Sequence, residues 1–194
     1  MARCVGLDGW HISRAKLAMC PNPEEAFARR VSPSQNVADA SNHQGAPFTY
    51  DLDEYSRFVK TAKYDSSSPL GFPTFEHHIK DPVPSAVPLL PSNRIVIIEG
   101  LYTILDEPGW TEVSDHIDIS IYVDTPRDIA RERCIKRNFA AGLADTLEAT
   151  AYRGTAIIND IWTFLTSAVD ASDMINGDLV RTRSRKPTFV VTGA

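Results

Sequence analysis

The sequence predicts an α/β fold with a mainly parallel sheet. Three observations carry that prediction. RIVIIEG (Arg94 to Gly100) is a continuous β-branched run, the signature of a strand buried on both faces. HIDISIYVD (His116 to Asp124) has the same character. Segments with helical spacing separate such runs, and strands that alternate with helices build parallel sheets.

The other elements follow in chain order. Cys4 to Leu7 is a short apolar run ending at Asp8-Gly9, read as a strand and a turn. SRAKLAM has helix-forming residues behind Ser13, a suitable N-cap. PNPEEAFARR is read as a second short helix after two prolines. Val31 to Gln44 is polar and aperiodic, hence loop. DLDEYSRFVKTAK sets Leu52, Tyr55, Phe58 and Val59 at helical spacing behind Asp51. Residues 65–93, rich in Pro and Ser, read as a long irregular connection. PRDIARERCIKRNFAAG opens with proline and closes with Gly142, the usual asymmetry of a helix. TFVVTG adds a last strand.

Bulk composition narrows the function. A chain of 194 residues suits one domain with a real core. Its formal net charge of −5 argues against nonspecific nucleic-acid binding. Cys4, Cys20 and Cys134 are too few and too scattered for a disulfide framework or a zinc site, and read as buried free thiols. No apolar run has the length of a membrane span, and no secretory signal opens the chain. A cytoplasmic protein with neither a membrane nor a nucleic-acid partner is expected.

Ligands of open α/β sheets bind beyond the carboxyl ends of the strands. Two predicted strands deliver an acid there, Asp8 and Glu99, each followed by glycine. Two converging acids suit Mg²⁺ binding or proton abstraction, unless each only caps its turn. The helix after YVDTP carries Arg131, Arg133, Lys136 and Arg137. Such a cluster can clamp phosphates, since guanidinium binds phosphate oxygens in bidentate fashion. The alternative is a solvated face paired with Asp128 and Glu132. FPTFEHHIKDPVP (Phe72 to Pro84) packs Glu76, His77, His78 and Lys80 between aromatics and prolines. It is either a substrate loop or an ordinary surface loop.

In order, these pieces are DGWH, NPEEAFARR, GAPFTYD, FPTFEHHIKDPV, RIVIIEGLYTILDEPGW, IDISIYVDTPRDIARERCIKR, ND and NGDLV. Together they resemble the uridine kinase, phosphoribulokinase and pantothenate kinase group of P-loop kinases, and within it a uridine-kinase-like branch. The resemblance implies a three-layer P-loop NTPase-like fold and an ATP- and Mg²⁺-dependent transfer of the γ-phosphoryl group. The acceptor would be a hydroxyl of a nucleoside, sugar or related small metabolite. It implies that Asp8 activates that hydroxyl and helps to place Mg²⁺. Glu99 would be the acid that ends the Walker-B-like strand. Arg133 and Arg137 would belong to the lid, with Arg131 and Lys136 beside them on the nucleotide. His11 and Arg14 would lie near the acceptor, and Glu76, His77 and Lys80 in the substrate loop. FEHHIKDP departs from the tyrosine- and arginine-bearing loop of authentic uridine kinases, so uridine itself is not implied.

The resemblance also implies a first strand, a G-x-x-x-x-G-K-[ST] loop and a first helix ahead of DGWH. No such loop occurs in the sequence. The reading is therefore of a single, incomplete P-loop kinase-like domain over residues 1–194, inactive by itself, or of a non-catalytic paralogue or gene-model fragment acting, if at all, as a binding module. Residues 31–44 separate ARR from GAPFT and read as an insertion or a retained intron, since Val31 and Gln44 can encode intron boundary letters. Residues 161–172 read as a second insertion, between ND and Asp173. A transcript lacking both segments is the expected outcome, and cDNA retaining them would refute it.

Overall fold

A computed structural model describes residues 1–19, 47–76, 79, 81–85, 87–140 and 169–193. The predicted helix in PNPEEAFARR, the segment 31–44 and Cys20 lie outside the described residues, as do positions 161–168 of the second predicted insertion.

Strand β1 (Ala2–Gly6) runs into a 3₁₀ turn, Leu7–Trp10, and then α1 (Arg14–Ala18). The Ser13 side chain accepts from the Lys16 N–H, as its N-cap position requires. A 3₁₀ turn at Pro47–Thr49 leads to α2 (Leu52–Tyr64), which Asp51 caps by accepting from the Glu54 N–H. β2 (Pro73–Glu76) and β3 (Asp81–Pro84) follow, then β4 (Ile95–Glu99), α3 (Trp110–Ser114) and β5 (Ile121–Asp124). The chain continues through α4 (Arg127–Ala140). A π-helical turn at Val169–Asp173 then runs into α5 (Met174–Arg183), and β6 (Phe189–Thr192) follows.

β1 pairs in parallel with β4, and β5 pairs in parallel with β6. β2 and β3 form an antiparallel hairpin. The parallel α/β prediction therefore holds. The irregular connection predicted over residues 65–93 is corrected, because it contains this hairpin. Proline hid the hairpin from the sequence, since Pro73, Pro82 and Pro84 donate nothing to a ladder; a two-stranded ribbon tolerates them where a central strand would not.

One core lies under β1, β4 and β5, while all four residues of β6 are exposed. It joins Val5 and Leu7 to Tyr55, Phe58 and Val59 of α2, Tyr102, Leu105 and Trp110, with Val96, Ile98 and Tyr122 packed against it. The other face of these strands is open. Ile95 and Ile97 are 61% and 52% exposed, and Ile121 and Val123 are 60% and 64% exposed. The prediction that both strands are buried on two faces is thus corrected: the burial alternates, with one face on the core and one bare. Among the described residues, no ladder joins β1–β4 to β5–β6. The cysteine reading also changes, for Cys4 is exposed and Cys134 is half-buried.

Tyr55 is fully buried between Trp10 and Trp110, with ring centroids 5.2 and 6.0 Å away. Burial pushes its phenol pKa up. Its hydroxyl has no hydrogen-bond partner among the described residues. A buried polar atom left unpaired costs stability that an apolar replacement recovers. Tyr55→Phe is therefore expected to be neutral, or stabilising by up to about 1 kcal/mol, in urea denaturation. A clear loss would reveal a partner for the hydroxyl.

Candidate active site

β1 and β4 end side by side. Their register sets Gly6 opposite Glu99, so Asp8 leaves one strand just beyond the point where Glu99 closes its neighbour. Two glycines permit this closeness, and a third lets the β2–β3 hairpin approach the turn. A Cβ on Gly6 would stand 2.8 Å from a Glu99 carboxylate oxygen, and one on Gly100 would stand 2.3 Å from the Leu7 Cβ. A Cβ on Gly9 would meet the Pro73 carbonyl oxygen at 2.2 Å. Among the described residues only Gly109 has a positive φ, at 84°. Gly9 and Gly100 thus serve close packing within the turns that follow β1 and β4.

A second segment folds across the first. The Ile12 N–H donates to Thr49 O at 2.9 Å and the Asp51 N–H to Trp10 O at 2.7 Å, which bridges His11 to Tyr50. Lys16 adds an ion pair to Asp51. DGWH and PFTYD, far apart in the chain, become one surface. The Tyr50 hydroxyl donates to Asp8 Oδ1 at 3.0 Å. The His11 ring stacks on Tyr50 at 4.0 Å between centroids, with its Nε2 3.8 Å from the same carboxylate oxygen. Burial pushes the Tyr50 pKa up, and the negative charges of Asp8 and Glu99 push it further. Tyr102, next to Tyr50, is raised mainly by burial and then by the charges of Glu107, Asp173 and Asp8. Both phenols are neutral donors across the physiological range. The Asp8 side chain is 55% exposed, so its carboxylate can reach a ligand.

The predicted acceptor residues divide. Arg14 begins α1, where its backbone N–H donates to Asp81 Oδ1 at 2.8 Å. Glu76 stands opposite Asp81 in the hairpin register. The FPTFEHHIKDPV segment is thereby tied to the start of α1 and, through Gly9, to the Asp8 turn. His77 and Lys80 lie outside the described residues.

The basic helix α4 is engaged with acids of the elements beside it. Arg131 Nε donates to Asp170 at 2.6 Å, and its second nitrogen to the other oxygen at 2.7 Å. Arg127 grips both oxygens of Asp178. Arg137 lies 3.7 Å from Asp173. Hydrogen bonding by these arginines holds the carboxyls of Asp170 and Asp178 below their usual range. Lys136 pairs within the helix, with Glu132 at 2.5 Å. Arg133 is exposed on the same helix. Acids on the π-helical turn and α5 are the partners of Arg127, Arg131 and Arg137.

Sequence reasoning missed Tyr50, Thr49 and Asp81 as parts of the site. PFTYD and KDPV are visible as motifs, but the contact that gives them a role is long-range.

A model of the family described as Phosphoribulokinase / Uridine kinase family matches residues 25–178. The ATP-dependent kinase-like protein notR' of Aspergillus versicolor is 36% identical over 150 residues, covering 76% of this chain and 79% of that protein. A Schizosaccharomyces pombe protein named as a uridine kinase is 30% identical over 191 residues, covering 98% of this chain and 69% of its own. The ATP-dependent kinase YFH7 of Zygosaccharomyces rouxii is 35% identical over 174 residues, and the chain spans 46% of its length. Among solved structures, a protein described as a fructose transport system kinase from Silicibacter sp. TM1040 superposes with a TM-score of 0.72 at 20% identity, over 97% of this chain and 74% of that one. YFH7 of Saccharomyces cerevisiae, described as a P-loop containing kinase with a circular permutation, superposes at 0.69 and 22% identity, over 99% and 57%. At these identities the superpositions speak for the fold, which is that of the P-loop kinases. No described helix is long and apolar enough to cross a membrane. With a matched span that runs from the segment after α1 into α5, the chain belongs to the phosphoribulokinase / uridine kinase family.

Proposed function

We propose that the protein is an ATP-dependent kinase acting on a hydroxyl of a nucleoside, sugar or related metabolite, and that it is competent only in a form carrying a phosphate loop. The observation that supports this most directly is the pair of acids at adjacent strand ends, with Asp8 held by Tyr50 and exposed. Asp8 is the general base. The acceptor oxygen bonds to the γ-phosphorus as the bond from that phosphorus to the bridging oxygen breaks. The electron pair stays on ADP, and the hydroxyl proton passes to Asp8. His11, Arg14 and Glu76 line the acceptor side, and the family resemblance gives His77 and Lys80 a role in binding the acceptor. Arg133 and Arg137 close over the phosphates, with Arg131 and Lys136 beside the nucleotide. Arg131 and Arg137 must exchange Asp170 and Asp173 for phosphate oxygens to do so.

Asp8 and Glu99 fit Mg²⁺, which takes one or two carboxylates and keeps its other positions for water and phosphate. Among the described residues no cluster of three or more acids, histidines or cysteines could hold a metal alone. The pair thus suits an ion shared with phosphates rather than a protein cage. When bound, Mg²⁺ supplies charge neutralisation at the transferring group.

The separation of β1–β4 from β5–β6 among the described residues supports a further strand between them in the competent form, and the bare apolar faces of β4 and β5 support a further layer packed on the sheet. A binding module is the rival reading, favoured by the lack of any G-x-x-x-x-G-K-[ST] run in the sequence. The two are separated by presenting γ-labelled ATP, Mg²⁺ and a panel of nucleosides and sugars to this chain and to a longer form bearing the loop. Labelled product from the longer form and none from the 194-residue chain is expected. No transfer by the longer form to any acceptor would leave the binding module standing.

A further inference from the structure

We infer that Tyr50 is the positioning residue of Asp8, fixing one carboxylate oxygen so that the other meets the substrate hydroxyl. This rests on the reading of Asp8 as the base. A carboxylate at a strand end, more than half exposed, has several rotamers open to it. Only one can meet an acceptor within proton-transfer reach, and positioning of this kind carries a large share of phosphoryl-transfer catalysis.

The geometry around Tyr50 is rigid where Asp8 is not. Tyr50 is 6% exposed. Its ring is stacked on His11 at 4.0 Å and meets Tyr102 and Trp110 edge-on at 5.8 and 5.7 Å. Its backbone is fixed by the bridge to His11 and by the start of α2. The hydroxyl is thus a donor with a set position, 3.0 Å from Asp8 Oδ1. A bond to Oδ1 settles the carboxylate torsion and leaves Oδ2 for the substrate. The stack also sets His11 against the same oxygen, so acceptor residue and base are located by one ring.

Tyr50→Phe removes only the hydroxyl and keeps the packed ring, so the fold should persist. In the loop-bearing form, kcat is expected to fall about 10- to 100-fold, with KM for ATP and acceptor unchanged. A purely structural role would instead lower the melting temperature, or raise KM with kcat intact. A crystal structure of Tyr50→Phe should show Asp8 in more than one rotamer, and one of the unaltered protein a single rotamer. This second reading needs no activity, so it decides the matter even if the kinase assignment fails. An unchanged single Asp8 rotamer, or a kcat equal to that of the unaltered protein, would overturn the inference.

Discussion

Asp8→Asn in the loop-bearing form is expected to lower kcat by about 10²- to 10⁴-fold, the usual worth of a positioned general base. The amide keeps the shape of the carboxylate, and its oxygen can still accept the Tyr50 hydroxyl bond seen at 3.0 Å. It cannot take a proton from an acceptor, and it is a poorer ligand for a hard cation. Because the side chain is 55% exposed, little packing is at stake. Stability should stay within about 0.5 kcal/mol, as for most surface substitutions. Coupled ADP-release kinetics beside thermal melting make the test. A variant that keeps its kcat would remove Asp8 from the chemistry, while one that melts early would mark it as structural.

The second large effect is structural and falls on Gly9. Its φ is ordinary, so alanine suffers no backbone strain there. The obstacle is contact: the new Cβ would lie 2.2 Å from the Pro73 carbonyl oxygen and 2.6 Å from its carbon. Both are backbone atoms and cannot swing aside. The β2–β3 hairpin must then move off the Leu7–Trp10 turn, taking with it the Asp81 acceptor that holds the start of α1. Gly9→Ala is expected to cost about 3 kcal/mol, at the upper end for overpacking. Gly71→Ala is the internal control, since a Cβ there meets nothing within 4 Å. It should be neutral within about 0.5 kcal/mol. Denaturant melts of the two variants side by side give the answer, and equal midpoints would show that the hairpin yields without cost.

Much of the scaffold was legible because local rules govern it. The apolar runs that became β1, β4 and β5 declare strands, and Ser13 and Asp51 declare helix starts through their own side chains. The two acids were legible for the same reason, since each closes an apolar run and precedes a glycine. The hairpin was not, because its signal is a pairing between Pro73–Glu76 and Asp81–Pro84 inside a segment whose prolines read as loop. Nor was the one-sided burial of β4 and β5. A β-branched run shows that a strand is apolar on both faces, not whether both faces are covered.

The sequence by itself determined the fold class, the strands β1, β4, β5 and β6, the helices α1, α2 and α4, the family resemblance, and the placing of Asp8 and Glu99 at or just beyond strand ends, all of which follow from residue type and spacing along the chain. Only the tertiary structure decided that Tyr50 holds Asp8, that His11 stacks on that ring, that Asp170 and Asp173 take the arginines of α4, and that Gly9 is there for Pro73. Each of these is a contact between residues distant in sequence. Such contacts depend on where packing brings the elements together, and no local periodicity records that.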